Sequence, residues 1–92
     1  MQEDQAGSEK QDILATFWQR ADQAGAQDNR EEARAWMEGI VELDDRNIDA
    51  WFKLASLIPD ARERMQCYAH VLELSPGNAE ARAGLRQARR GL

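Results

Sequence analysis

The sequence predicts an all-α fold of antiparallel helix hairpins, about five helices in all, and three observations predict it. A stretch of the chain is written twice: the segment 41–54 returns as 72–85, with Glu, Leu, Asn, Ala and Leu recurring at matching places. The offset is 31 residues, and a repeat of that length belongs to a stacked array of one small unit. Apolar residues recur at three- and four-residue steps, the helical period, with no sustained strand-type alternation. Polar turns carrying helix-capping residues separate the periodic stretches.

Taken in order, the first ten residues offer Gln, Glu, Asp, Gly and Ser with almost nothing apolar to bury, and are read as a disordered acidic tail over 1–10. Ile13, Leu14, Phe17, Trp18 and Ala21 then mark one face of a first helix. Gly25, Asp28 and Asn29 interrupt it. Asn29 followed by Glu32 reads as a capping box, opening a second helix through Ala33, Met37, Ile40 and Val41, with Trp36 beside that stripe. Asn47, at the end of the polar turn 44–47, caps a third helix through Trp51, Leu54, Ala55 and Leu57. Pro59 stops it, because the residue before a proline is pushed out of helical space. Asp60 with Glu63 repeats the cap-plus-Glu pattern for a fourth helix bearing Met65, Tyr68, Val71 and Leu72. After the turn 75–78, Asn78 caps a fifth helix through Ala81, Leu85 and Ala88. The folded unit is expected over 11–92.

Composition narrows the function. One cysteine, Cys67, allows neither a disulfide framework nor a Cys-rich zinc site. No apolar run reaches the ~18–20 residues that span a bilayer, and the first residues have the wrong charge and no apolar core for a secretory leader. A cytoplasmic protein with no membrane partner is the expectation. Residues 1–50 carry 13 acids against 5 bases, and residues 51–92 carry 4 acids against 7 bases. The overall charge of −5 argues against nucleic acid as a partner. The asymmetry suits head-to-tail self-association, although Arg82, Arg86, Arg89 and Arg90 also complement the dipole of a last helix.

The segment 31–47, EEARAWMEGIVELDDRN, closely resembles the second helix and exit turn of a tetratricopeptide repeat. Residues 47–55, NIDAWFKLA, look like the start of the following repeat, and residues 68–78, YAHVLELSPGN, resemble the same exit segment again. The resemblance covers roughly residues 12–92. It implies repeat one over about 12–46, a shortened repeat two over about 47–77 and a capping helix over about 78–91. The family period is about 34 residues, so this copy is short, and the shortfall falls between the third and fourth helices. The third helix should therefore stop at Leu57 or Ile58. Asp45 stands where the family prefers proline, Arg64 where it prefers alanine, and Arg20 where a large apolar residue is common. Two repeats and a cap are also few, which favours docking on a partner or on a second copy.

The resemblance further implies a concave groove lined by the first helix of each hairpin. By matched position it would show Trp18, Gln19 and Asp22 from the first, Phe52, Lys53 and Ser56 from the second, and Ala83 and Gln87 from the cap. Trp18 and Phe52 would be neighbouring aromatic anchors, with Lys53 placed to hold a carboxylate. Helical spacing equally allows both rings to pack between helices, while Phe17 and Trp51 match the family's structural aromatic site. Trp36 either lies on the outer face or laps over a hydrophobic edge. The function so implied is a protein–protein adaptor that presents its groove to a peptide or protein; the alternative is a self-association module, a homo-oligomer with no separate ligand.

Catalysis is not expected. His70, the only histidine, is expected to face solvent, and Cys67 lies one turn before it. A Cys–His pair also needs an orienting group and an oxyanion donor, and neither is visible. The acid pairs Glu31-Glu32 and Asp44-Asp45 cap and solubilise. No phosphate-cradling loop or calcium-type acid ladder is present, so no cofactor and no metal is expected.

Overall fold

The computed structural model describes residues 2–92, with side chains from Glu9 onward. It is all-α: α1 Gln2–Ala26, α2 Arg30–Leu43, α3 Ile48–Leu57, α4 Ala61–Leu74 and α5 Ala79–Arg90. Among the described residues there is no strand. Connections of three or four residues fold each helix back on its predecessor, and each packs on its neighbours in the chain. The result is a slab of 49 × 33 × 16 Å.

Four side-chain caps set the helix starts. Asn29 accepts from the Glu32 amide, Asn47 from the Ala50 amide, Asp60 from the Arg62 amide and Asn78 from the Ala81 amide, each satisfying one of a helix's orphan donors. Asn29 Nδ2 also donates to Glu32 Oε2 at 3.2 Å, so the first cap-plus-Glu pair meets through side chains, while the Asn29 amide donates to Ala24 instead of to Glu32 as a capping box has it. The second pair does not meet: Glu63 instead accepts from Arg34 on α2 at 2.9 Å, tying the two hairpins together.

The doubled segment is doubled in geometry. The helix-ending residues Asp44 and Ser75 sit at φ/ψ of −144/80 and −143/84, and Asn47 and Asn78 donate back to their carbonyls at 3.2 and 3.0 Å. Ile40 and Val71, equivalent across the repeat, are both fully buried, and so are Ala50 and Ala81. Trp51 Nε1 donates to the Asp45 carbonyl at 2.8 Å. Its counterpart Arg82 donates to the matching Pro76 carbonyl at 3.0 Å. Two unlike side chains thus make one conserved-in-place bond, because each can carry an N–H to the turn below it.

Helix ends follow the local chemistry. Pro59 ends α3 at Leu57, with Ile58 extended at φ −98, ψ 118, as the shortened repeat predicts. Gly25 was expected to help interrupt the first helix, but it stays helical. The break is made by Asp28, at φ 57 the one non-glycine with positive φ among the described residues. The Asn29 amide donates to Ala24 and the Asp28 amide to Gly25, the pattern of a Schellman ending. At its other end α1 starts at Gln2, ahead of the start expected near residue 11. Gln, Glu, Ala and Lys are good helix formers, and acids favour a helix N-terminus. Side chains 1–8, which carry most of the expected tail, lie outside the described residues.

One core runs through the first four helices, joining Leu14 and Ala21 to Met37 and Ile40, then to Leu54, Ala55 and Cys67. Met37 and Ile40 within it, and Val71 beside it, are the largest fully buried side chains among the described residues, each contributing ~1.5–3 kcal/mol. Alanines at 33, 50, 55, 81 and 88 are buried and let helix backbones approach closely.

Candidate functional site

Three of the residues that the resemblance implies for a groove, Asp22, Lys53 and Ser56, line one opening. A cavity of about 540 Å³ opens between the C-terminal end of α1 and the C-terminal half of α3, and Asp22, Lys53 and Ser56 line it together with Asp28, Arg30 and Leu57. The geometry follows from local structure. The Schellman ending turns the chain sharply at Asp28, which brings Arg30 to the rim beside Gly25 and Ala26. The early stop at Pro59 leaves Leu57 at the rim's far side. Ser56 donates to the Lys53 carbonyl at 2.6 Å, which ties its hydroxyl to the helix and leaves its oxygen free to accept. Among the described residues Lys53 and Arg30 end in no ion pair. Two cations and two carboxylates therefore face one opening.

The aromatic part of the expected site lies elsewhere. Trp18 and Phe52 are half-buried and outside the lining of this cavity. Trp18 packs on the core. Phe52 pairs with Tyr68, ring centres 6.1 Å apart, rather than with Trp18, so the two do not form a joint anchor. The cause is Gly84 on α5: without a Cβ it lets the Tyr68 ring lie on the helix, and Phe52 tilts onto that ring. Gln19, Ala83 and Gln87 are exposed but lie outside this lining. Trp36 laps over a hydrophobic edge, edge-on to Phe17 at 5.0 Å.

A second cavity, about 340 Å³, was not foreseen. It lies across α2, α3 and α4, floored by Trp51, Leu54 and Cys67 and bordered by Arg34, Glu63 and His70. His70 does not face solvent as expected: it is half-buried against the Trp51 ring at 4.3 Å, and its Nε2 lies 3.0 Å from the Asp45 carbonyl. A carbonyl only accepts, so Nε2 carries the hydrogen. The Asp45 carbonyl thus takes donors from both α3 and α4, pinning the turn that joins the repeats. The bond needs only a backbone carbonyl, so Asp45 accepts it here as Pro76 does in the other copy.

Charge around this cavity is paired. Arg34 donates to Glu63 at 2.9 Å and to Glu38 at 3.2 Å. Desolvation works against its charge, yet the bond to Glu63 and the charges of Glu63 and Glu38 hold the guanidinium above its ordinary pKa. Burial pushes the Cys67 thiol above its usual value, with Arg34 pulling the other way. Among the described residues no hydrogen bond joins Cys67 to His70, and no group of three His, Cys, Asp or Glu is placed to hold a metal ion. No helix there is long and apolar enough to cross a membrane. Neither a protein-family model nor a curated protein matches the chain.

The sequence signal that could have found the second cavity was present. Arg34 stands 29 residues before Glu63, close to the repeat offset. Residues separated by nearly one repeat sit on adjacent hairpins.

Proposed function

We propose that the chain is a tetratricopeptide-type adaptor that holds a segment of another protein in the groove between α1 and α3. The observation that carries this reading is the open cavity of about 540 Å³ with Lys53 and Arg30 facing Asp22 and Asp28. The occupant is an extended or helical peptide bearing both signs of charge: a carboxylate set against Lys53 or Arg30, a basic side chain against Asp22 or Asp28. The doubled exit turn, with matching cap angles in its two copies, supports the family reading.

Binding without catalysis suits the chemistry. A nucleophilic thiol works as thiolate, and burial of Cys67 moves its pKa the opposite way. A single unpaired cysteine also fits work in the reducing cytoplasm. The groove needs neither cofactor nor nucleic acid.

Selection of a peptide library against the intact chain, counter-selected with Lys53→Glu, tests the reading. Recovered peptides should carry acidic residues at a fixed position and lose most of their affinity for Lys53→Glu. Peptides that bind both forms equally would place the site elsewhere.

A further inference from the structure

Exposed and half-buried apolar side chains gather at the two opposite ends of the helix array. At the first end, α1 presents Ile13 and Phe17 at i, i+4, and α2 presents Trp36 and Leu43. Phe17 lies over Gly39 and against Trp36. The same antiparallel register puts Ile13, one turn back from Phe17, level with Leu43, one turn on from Gly39. Ile13 is 45% exposed and Leu43 43%. At the last end, Met65 and Ala69 of α4 and Leu85 of α5 form an apolar groove of about 640 Å³ with Leu92. Leu92 is 64% exposed, and Arg62 and Arg89 stand at the rim.

The two ends are opposite in charge. Residues 9–43 hold eight acids against four bases, and residues 61–92 hold three acids against six bases. Within four residues of Ile13 or Leu43 in the chain, Glu9, Asp12, Glu42, Asp44 and Asp45 outnumber Lys10 and Arg46. Around the groove the arginines dominate. α1 is packed by α2 and α5 by α4, so each terminal hairpin keeps an outer face against which no other helix packs among the described residues.

We infer that these faces bind each other between copies: the Ile13–Leu43 face of one chain seats in the Met65–Leu92 groove of the next. The occupant is a second copy because its opposite end offers an apolar helix pair of opposite charge, on the geometry with which the array already stacks its own hairpins. Such a contact uses different surfaces on its two sides. It is therefore heterologous, and repeats along an open chain or closes into a ring. It stands apart from the α1–α3 groove and does not depend on the peptide-binding reading.

Sedimentation equilibrium of the intact chain tests it. The mass should rise with concentration past twice the 10.5 kDa of one chain, and less so at ~1 M salt, where surface charges are screened beyond ~3 Å. Ile13→Glu and Met65→Glu should each weaken assembly about tenfold or more, since central apolar contacts dominate interfaces. Leu43→Glu and Leu92→Glu serve if either variant is not helical by circular dichroism.

The deciding arm is the mixture. A head-defective and a tail-defective chain retain one good face each, so an equimolar mixture should form a dimer and nothing larger. Wild-type chain that stays monomeric overturns the inference. So does assembly that stops at a dimer and is not restored on mixing, because that marks a two-fold contact of like surfaces. Lys53→Glu should leave assembly unchanged, which separates this outcome from any failure of the groove.

Discussion

The ring of Tyr68 fills the space that a Cβ would take at Gly84, its nearest ring carbons lying 2.6 Å from that position. Phe52 packs on the same ring, so the ring has little room to retreat. An alanine there should gain ~0.8–1 kcal/mol of helix propensity and lose ~1–3 kcal/mol to overpacking. Gly84→Ala is expected to destabilise the chain by about 1 kcal/mol net. At Gly25 nothing lies within 4 Å of the added carbon, and Gly25→Ala should stabilise by up to about 1 kcal/mol. Urea unfolding of the two variants checks the opposite signs.

Asp28 holds a left-handed conformation, φ 57, to end α1. Glycine adopts that region without the steric cost an L side chain meets. Asp28→Gly should raise stability by ~0.5–1 kcal/mol in thermal or urea unfolding, with Asp28→Val falling well below wild type as the β-branched control.

Arg64 explains how the short repeat is finished. Its Nη1 donates to the Ile58 and Pro59 carbonyls at 2.9 and 2.7 Å, where the chain leaves α3. Arg64→Ala should cost ~1–2 kcal/mol, the scale of charge-assisted bonds that are partly exposed. Arg64→Lys should recover only part, since a single ammonium cannot reproduce the guanidinium's reach. Faster hydrogen exchange confined to the last turn of α3 and the first of α4 would accompany the loss.

Much of this fold was legible because its punctuation is chemical. Asn29, Asn47, Asp60 and Asn78 each announce a helix start by residue type alone, and Pro59 announces a stop. What was not legible depends on which partner wins a side chain. Glu63 satisfies the local capping pattern in sequence, but Arg34, brought near by stacking, offers a charged donor that the cap amide cannot match. Likewise Asp22, Lys53 and Ser56 share one opening because helical spacing fixes their side of α1 and α3. Whether Phe52 packs or faces a groove stayed open in the sequence because its direction is set by Tyr68, and Tyr68 by a glycine on another helix. Trp51 and Arg82 show the converse: the bond to the turn recurs although the side chain does not.

Cys67 gives the chain a pH-dependent stability. Burial raises its folded pKa above the ordinary thiol value of 9.0, with Glu63 and Glu38 assisting and Arg34 opposing. The folded state therefore keeps its proton where the unfolded chain has released it. That stability is complete below the unfolded value and is lost as pH rises above 9.0 through the folded value. The urea midpoint should fall over that range relative to neutral pH, and Cys67→Ala should remove that part of the fall. An equal fall in both proteins would assign the effect to other groups.

The groove and the aromatic pair beside it should separate under mutation. Lys53 and Asp22 line an open cavity and hold nothing together, so Lys53→Glu and Asp22→Lys should change stability by no more than ~0.5 kcal/mol. Phe52 and Trp18 are half-buried, one against Tyr68 and the other against the core. Truncating either to alanine should cost ~2–3 kcal/mol, below the full price of a buried aromatic. Any peptide selected on the groove should then lose affinity for the charge variants while they stay as stable as wild type. For Phe52→Ala the loss of affinity should track the loss of folded protein and vanish where folding is restored by lower temperature. Affinity that drops for folded Phe52→Ala, and not for Lys53→Glu, would move the binding surface onto the aromatic pair and away from the charged opening.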